Sequence, residues 1–379
     1  MKIVLIGEAQ GETEAQFKHG FCGSAGAELI KMLGESKFAP SIGIKYPSAL
    51  DMIAYWTHLR ENFGIAITNV FEEHPPENNL GHFFDNTSRD GFMPALVLQN
   101  MQGRYVKPEF RHHITELFER LGNWNPNICI LLGNPACWAV LHQTKISQIR
   151  GTIQKSNHLN LKCLPTYHPS YIMRGAWPDR PIVLADLQKA KLESETPEIK
   201  FPLRKAWFNC TLDEIRAWLD LHAEKYSIDI ESGYALFSKA EINRMPKKLR
   251  YILSSQISMV GFARNEEDAM VIEFMTREKP NLTYWEDKKD EVVAWKLCQQ
   301  GLAKPIPKIF QNGMYDMNRL IFARMRTNMP REDTMLQHHA HYPEMRKSLG
   351  FMASIYCSET NWKQMYGSDQ ISSLKRDSE

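Results

Sequence analysis

With 379 residues, of which 43% are hydrophobic and 24% charged, the chain can support two domains with separate cores, and its composition excludes a disordered protein. A formal charge of +2 excludes nucleic-acid binding through global charge, so such a role would rest on local basic patches. The seven cysteines form no Cys-x-x-Cys pair, which argues against a disulfide framework or an obvious zinc site and for a reducing compartment.

The opening Met-Lys-Ile-Val-Leu-Ile-Gly is too short an apolar run for a signal peptide, and no later stretch has the length of a membrane span. The expectation is a soluble cytoplasmic protein. Ile3-Val4-Leu5-Ile6 reads as a buried strand. The Gly-punctuated stretch Gly7–Leu33 follows, carrying Glu8, Glu12 and Glu14 and a second turn, Gly20-Phe21-Cys22-Gly23, before a helix from about Ala27. Taken alone, this is an ordinary surface loop; after a strand and before a helix, it is also where α/β proteins build sites.

Asp51 caps a helical run through Asn62, and Gly64–Val70 reads as a buried strand with Asn69 at its carboxyl end. The polar, proline-bearing segment Glu72–Asn79 is a loop, and Pro108–Leu121 is an amphipathic helix. Ile128–Leu132 is another strand, followed by a helix over Pro135–His142. Cys163–Ser170 is a short strand running into a loop, and Pro181–Lys191 is a closing helix. The alternation predicts a doubly wound parallel sheet over 1–191.

Leu192–Arg204, charged and without periodicity, reads as a linker. Beyond it come a strand near Ala206–Asn209, a helix over Leu212–Glu224 and a strand over Tyr226–Ile230. Ile257–Arg264 and Ala269–Phe274 form a hairpin. A helix over Lys288–Gln300, a strand at Ile309–Gln311 and a helix over Tyr315–Arg326 complete a second α/β domain with a mixed sheet, 205–365. Residues 366–379 are expected to be a disordered tail.

Three segments of the first domain share an order with a known family. Gly7-Glu8-Ala9-Gln10-Gly11 through Gly20–Gly26, then Ile67–Val70 with Pro75-Pro76-Glu77-Asn78, then Tyr167-His168-Pro169-Ser170-Tyr171, resemble the family-4-like uracil-DNA glycosylases. The resemblance implies that Phe21 stacks on a flipped base, Asn69 reads the uracil edge, His168 stabilises charge on the departing base and Glu8 lies near the attacking water. Gln10 stands where the family usually has a proline, and Gly20 replaces the proline before the aromatic. Both are expected to loosen loops that catalysis wants preorganised. The four cysteines that hold the family's iron–sulfur cluster are missing, so no cluster is expected.

In the second domain, Asp229-Ile-Glu231 puts two carboxylates on one face of a strand, where their repulsion favours a bound cation. A lone Asp-x-Glu is more often an ordinary strand. Asn312-Gly-Met-Tyr315-Asp316 adds a third acid at a strand-to-helix junction. With Glu332-Asp333-Thr334-Met335-Leu336 and Tyr342–Gly350, this order resembles the ribonuclease-H-like 3′–5′ proofreading exonuclease of phage-type family-A DNA polymerases. The resemblance implies Asp229, Glu231 and Asp316 as ligands of two Mg²⁺ or Mn²⁺ ions, supported by Asn312, Tyr315 and a structural Asp333.

The family's final Tyr-x-x-x-Asp helix is missing, Tyr366-Gly-Ser-Asp369 being one residue short. A three-carboxylate site is expected to bind metal less well and to cleave poorly. No polymerase domain follows, which suggests a truncated or split polymerase, or stand-alone accessory domains serving a polymerase on a separate chain. The expected partner is DNA, single-stranded or frayed at its 3′ end, with no membrane role. The expected function is uracil recognition or excision coupled to exonuclease chemistry; the alternative is a non-catalytic DNA-binding module.

Overall fold

The computed structural model describes residues 1–85, 105–200, 203–328 and 331–357. Residues 358–379, which include the end of the expected exonuclease domain and the expected tail, lie outside the described residues. The chain divides into two units: Met1–Lys200 with Gly350–Gly367, and Phe201–Leu349 with Ser368–Glu379.

The first unit grows from a run of apolar residues that is buried throughout, Ile3–Ile6, which requires cover on both faces of its strand. That strand, β1 (Ile3–Ala9), pairs in parallel with β2 (Ile65–Phe71). The remaining strands are β3 (Phe84–Asp85), β4 (Tyr105–Val106), β5 (Ile128–Leu132), β6 (Gln154–Lys155) and β7 (Lys162–Thr166). The main sheet has five strands in the order β2-β1-β5-β7-β6, parallel except for the edge strand β6; β3 and β4 form a separate ribbon.

Helices α1 (Glu12–Phe17), α2 (Ser24–Glu35) and α3 (Ala49–Phe63) precede β2. Next come α4 (Arg111–Trp124), α5 (Asn134–Leu141), α6 (Ile146–Ile149), α7 (Pro169–Met173) and α8 (Arg180–Glu193). Helix α3 starts at Ala49 because Ser48 and Asp51 cap it reciprocally, three residues earlier than a cap at Asp51 would give. Val4 and Ile6 of β1 join Leu117 and Leu121 of α4 and Trp138 of α5 in one core cluster.

The second unit has six strands in the order β13-β12-β9-β10-β11-β8. They are β8 (Lys205–Trp207), β9 (Tyr226–Ser232), β10 (Ile257–Ala263), β11 (Asp268–Glu273), β12 (Lys308–Phe310) and β13 (Arg331–Asp333). β9, β10 and β11 are antiparallel neighbours and the outer pairs are parallel, so the sheet is mixed. Its helices are α9 (Leu212–Asp220), α10 (Lys239–Arg244), α11 (Lys247–Ser255), α12 (Lys288–Ala303), α13 (Met314–Phe322) and α14 (Thr334–His341).

Along β9, Tyr226, Ile228 and Ile230 are buried in the core, while Ser227, Asp229 and Glu231 alternate to the other face. A last helix, α15 (Leu349–Tyr356), belongs to the first unit, although its position in the sequence suggested the second domain. The reason is a buried polar cluster. Arg150 pairs with Asp186, donates to Ser354 Oγ at 2.9 Å, and Lys189 Nζ donates to the Ser354 carbonyl. The first unit also continues through the start of the expected linker, where Asn127 holds the Ser194 carbonyl and Lys162 the Glu198 carbonyl.

Candidate base pocket and carboxylate pair

The first site lies beyond the carboxyl ends of the parallel strands, where open α/β sheets place ligands. Strand pairing sets Gly7 of β1 directly beside Asn69 of β2. A β-carbon on Gly7 would fall 2.4 Å from Asn69 Oδ1 and 2.5 Å from Phe21 Cζ, so a bare glycine lets the amide and the ring converge. The Asn69 side chain is buried, and its Nδ2 has no hydrogen-bond partner among the described residues. Gly20 is the neighbour of that nitrogen: a β-carbon there would lie 3.4 Å from it.

Phe21 is buried and has φ = 54°, a left-handed conformation uncommon for a bulky residue. Three contacts hold it there. Trp56 Nε1 donates to the Phe21 carbonyl at 3.0 Å, and the rings of Trp56 and Phe21 meet edge-on with centroids 6.2 Å apart. Gly26 lies so close that a β-carbon would sit 1.9 Å from the Phe21 carbonyl oxygen. Trp56 and Gly26 thus both pack against the Gly20-Phe21 turn.

Glu14, for which the sequence suggested no role, closes the same loop. Its buried carboxylate accepts from the Gly11 N–H at 2.5 Å and from the N–H groups of Phe21 and Gly23. Burial pushes the Glu14 carboxyl above the ordinary range, against the lowering effect of those amides and of nearby His168.

His168 sits at the N-cap of α7, with Nδ1 accepting from the Ser170 N–H at 3.2 Å and 2.8 Å from Ser170 Oγ. An accepting Nδ1 leaves Nε2 to carry the proton of the neutral ring. The His168 and Phe21 rings are 6.3 Å apart. Gly133, at φ = 87°, joins this group to Glu8: a β-carbon there would meet Glu8 Oε1 at 2.4 Å and His168 Cβ at 3.2 Å. Glu8, Phe21, Asn69 and His168 thus come together from four segments of the chain.

In the second unit Asp316 occupies the first turn of α13 and is buried, whereas Asp229 and Glu231 are exposed on β9. Burial, then the charge of Asp229, pushes the Asp316 carboxyl up to about 7. Asp229 and Asp316 are therefore electrostatic neighbours. Among the described residues no group of three or more His, Cys, Asp or Glu converges tightly enough to hold a metal ion.

Asp333 caps α14, accepting from the N–H groups of Met335 and Leu336, and it binds those of Asn312 and Gly313 at 3.2 and 2.7 Å. Asn312 is left-handed at φ = 58°, and Asp333 stabilises that turn at the head of α13. The Tyr315 hydroxyl donates to Ser232 Oγ at 3.3 Å, while Arg319 covers its ring.

Residues 1–187 match the Uracil DNA glycosylase superfamily, and that stretch is a domain of this superfamily with its parallel sheet. A type-4 uracil-DNA glycosylase from Thermotoga maritima is 28% identical over 197 residues, which cover 50% of this chain and 76% of that protein. No helix among the described residues is long and apolar enough to cross a membrane.

Proposed function

We propose that the first unit binds a uracil base flipped out of DNA and hydrolyses its glycosidic bond, in the cytoplasm. One observation carries this reading: the Asn69 amide nitrogen is buried without a partner among the described residues, beside an aromatic ring held in a strained turn. An orphaned buried donor costs about 1–3 kcal/mol, which a bound acceptor would recover. Asn69 supplies Nδ2 to donate to O4 and Oδ1 to accept from N3–H, the pattern of the uracil edge. Phe21 would stack on the base.

As the C1′–N1 bond breaks, its electron pair leaves with the base, and His168 Nε2–H would stabilise the charge gathering on O2. Water oxygen bonds to C1′, and Glu8 would accept its proton. The test is incubation with a single-stranded oligonucleotide carrying one uracil, followed by hot alkali. Scission at the uracil, lost in Asn69→Leu, supports the proposal. Saturable, salt-sensitive binding without scission would replace it with a non-catalytic DNA-binding module.

A second activity, metal-dependent 3′–5′ exonuclease chemistry, is favoured by the Asp229–Asp316 repulsion. Mg²⁺ is commonly held by one or two carboxylates, waters and substrate phosphates, so this pair fits such an ion although no larger cluster is assembled. Asp229 and Asp316 would hold it, with Glu231 on the same strand face. A bound ion would supply charge neutralisation at the scissile phosphate. This reading fits a phage-like replication protein working on frayed 3′ ends beside a separate family-A polymerase chain. Mg²⁺-dependent shortening of a 3′-labelled strand, abolished by Asp229→Ala, tests it.

A further inference from the structure

The Gln10 side chain does not hang free at the end of β1. Its Nε2 donates to Glu72 Oε2 at 3.2 Å, its N–H donates to the Glu73 carbonyl at 3.2 Å, and its carbonyl lies 3.1 Å from His74 Nδ1. Proline at this position would lack both the N–H and the side-chain amide, so two of the three bonds depend on the residue present. Glu72 turns the other way as well. Its Oε1 accepts from the Asn69 N–H at 3.0 Å and from Thr68 Oγ1 at 2.8 Å, and Arg120 Nη2 is 3.6 Å away.

The geometry has a plain consequence. β1 and β2 are parallel, with Ala9 beside Phe71, and their ladder ends there. Beyond that point Gln10 and Glu72 continue the connection through side chains, and the same carboxylate reaches back to the backbone of the base-reading asparagine. We propose that Gln10 and Glu72 form a clasp that positions Asn69 for base recognition, replacing the stiffness that a proline would give this loop. The inference rests on the base-pocket reading of Asn69. Gln10 and Glu72 are positioning residues: their effect on the base passes through the β2 backbone.

The experiment uses the full chain with Gln10→Ala, Glu72→Ala, Glu72→Gln and the double variant Gln10→Ala/Glu72→Ala. Single-turnover uracil excision and hydrogen exchange at the Asn69 amide are measured on each. Glu72→Ala should slow excision about tenfold to hundredfold, since displacements near 1 Å cost on that order. DNA affinity should be unchanged, and the Asn69 amide should exchange at least about tenfold faster as its acceptor is lost. Glu72→Gln keeps an acceptor oxygen and should recover most of the rate, which a general loss of stability would not do. The double variant should be no slower than about twofold below Glu72→Ala, because the two residues act as one unit.

Wild-type excision in Glu72→Ala, or unchanged Asn69 exchange, overturns the clasp. A wild-type chain that excises no uracil, yet shows Glu72-dependent protection of the Asn69 amide, overturns the base-excision reading and supports the clasp.

Discussion

Gly7 and Asn69 are opposite one another on adjacent parallel strands, and a methyl group on Gly7 would fall 2.4 Å from Asn69 Oδ1. The same methyl would strike the Phe21 ring. One glycine thus governs whether the Asn69 amide and the Phe21 ring can share a pocket. Gly7→Ala should leave the sheet intact, since Ile3–Ile6 of β1 are buried and paired on both sides, but should displace both side chains. Excision should fall by about 10²-fold, with uracil binding weakened in parallel, as single-turnover kinetics and titration with the free base would measure.

Asn69 should show opposed effects on stability and function. Its Nδ2 is buried and has no partner among the described residues, so an apolar residue of similar size removes a desolvation penalty. Asn69→Leu is expected to stabilise the first unit by about 1 kcal/mol, a rise of roughly 2–4 °C in its melting midpoint. The same variant should lose uracil binding and excision. A destabilised but active Asn69→Leu would contradict the role given to this amide.

The parts of the fold visible in the sequence were those with a local hydrophobic pattern, a continuous run or an alternation. Ile3–Ile6 and Ile128–Leu132 are continuous apolar runs and are buried strands. Tyr226–Ser232 alternates strictly, and so places Asp229 and Glu231 on one face. Helices α10 and α11 escaped notice because Pro246 divides two short runs, each with little buried surface. The ties made by Glu14 and Glu72 have no sequence signature: an acid that binds backbone N–H groups looks like any loop acid. Nor does a helix announce that it packs on residues 165 to 204 positions upstream, as α15 does on the Arg150 and Lys189 cluster.

Asp316 makes the second unit sensitive to pH in a defined direction. Its carboxyl is raised from 3.8 to about 7, so between those values the native state holds a proton that the unfolded chain has released. Stability from this group is therefore undiminished below pH 3.8, declines as pH rises, and is fully lost above about 7. Asp316→Asn removes the titration. The variant should melt higher than wild type at pH 8, and the two should converge near pH 4. Added Mg²⁺ should narrow the gap at pH 8 by stabilising the ionised wild-type pair, and should leave Asp316→Asn largely unchanged.

The buried Arg150–Asp186 pair should control the docking of α15. Both side chains are essentially inaccessible; Asp186 also accepts from Thr166 Oγ1 at 2.6 Å, and Arg150 also binds Ser354 Oγ. Removing one partner strands a buried charge, which costs about 3–5 kcal/mol. Asp186→Ala should destabilise the first unit by that amount in urea melts. It should also speed proteolysis within 349–357, since Arg150 then no longer has a fixed position from which to hold Ser354. Replacing both charges, Arg150→Met with Asp186→Leu, should recover most of the stability, because apolar side chains can fill a buried ion-pair site without a desolvation penalty. Proteolysis of the helix should stay faster than wild type in this double variant, because the bond from Arg150 to Ser354 is gone even where the core is restored.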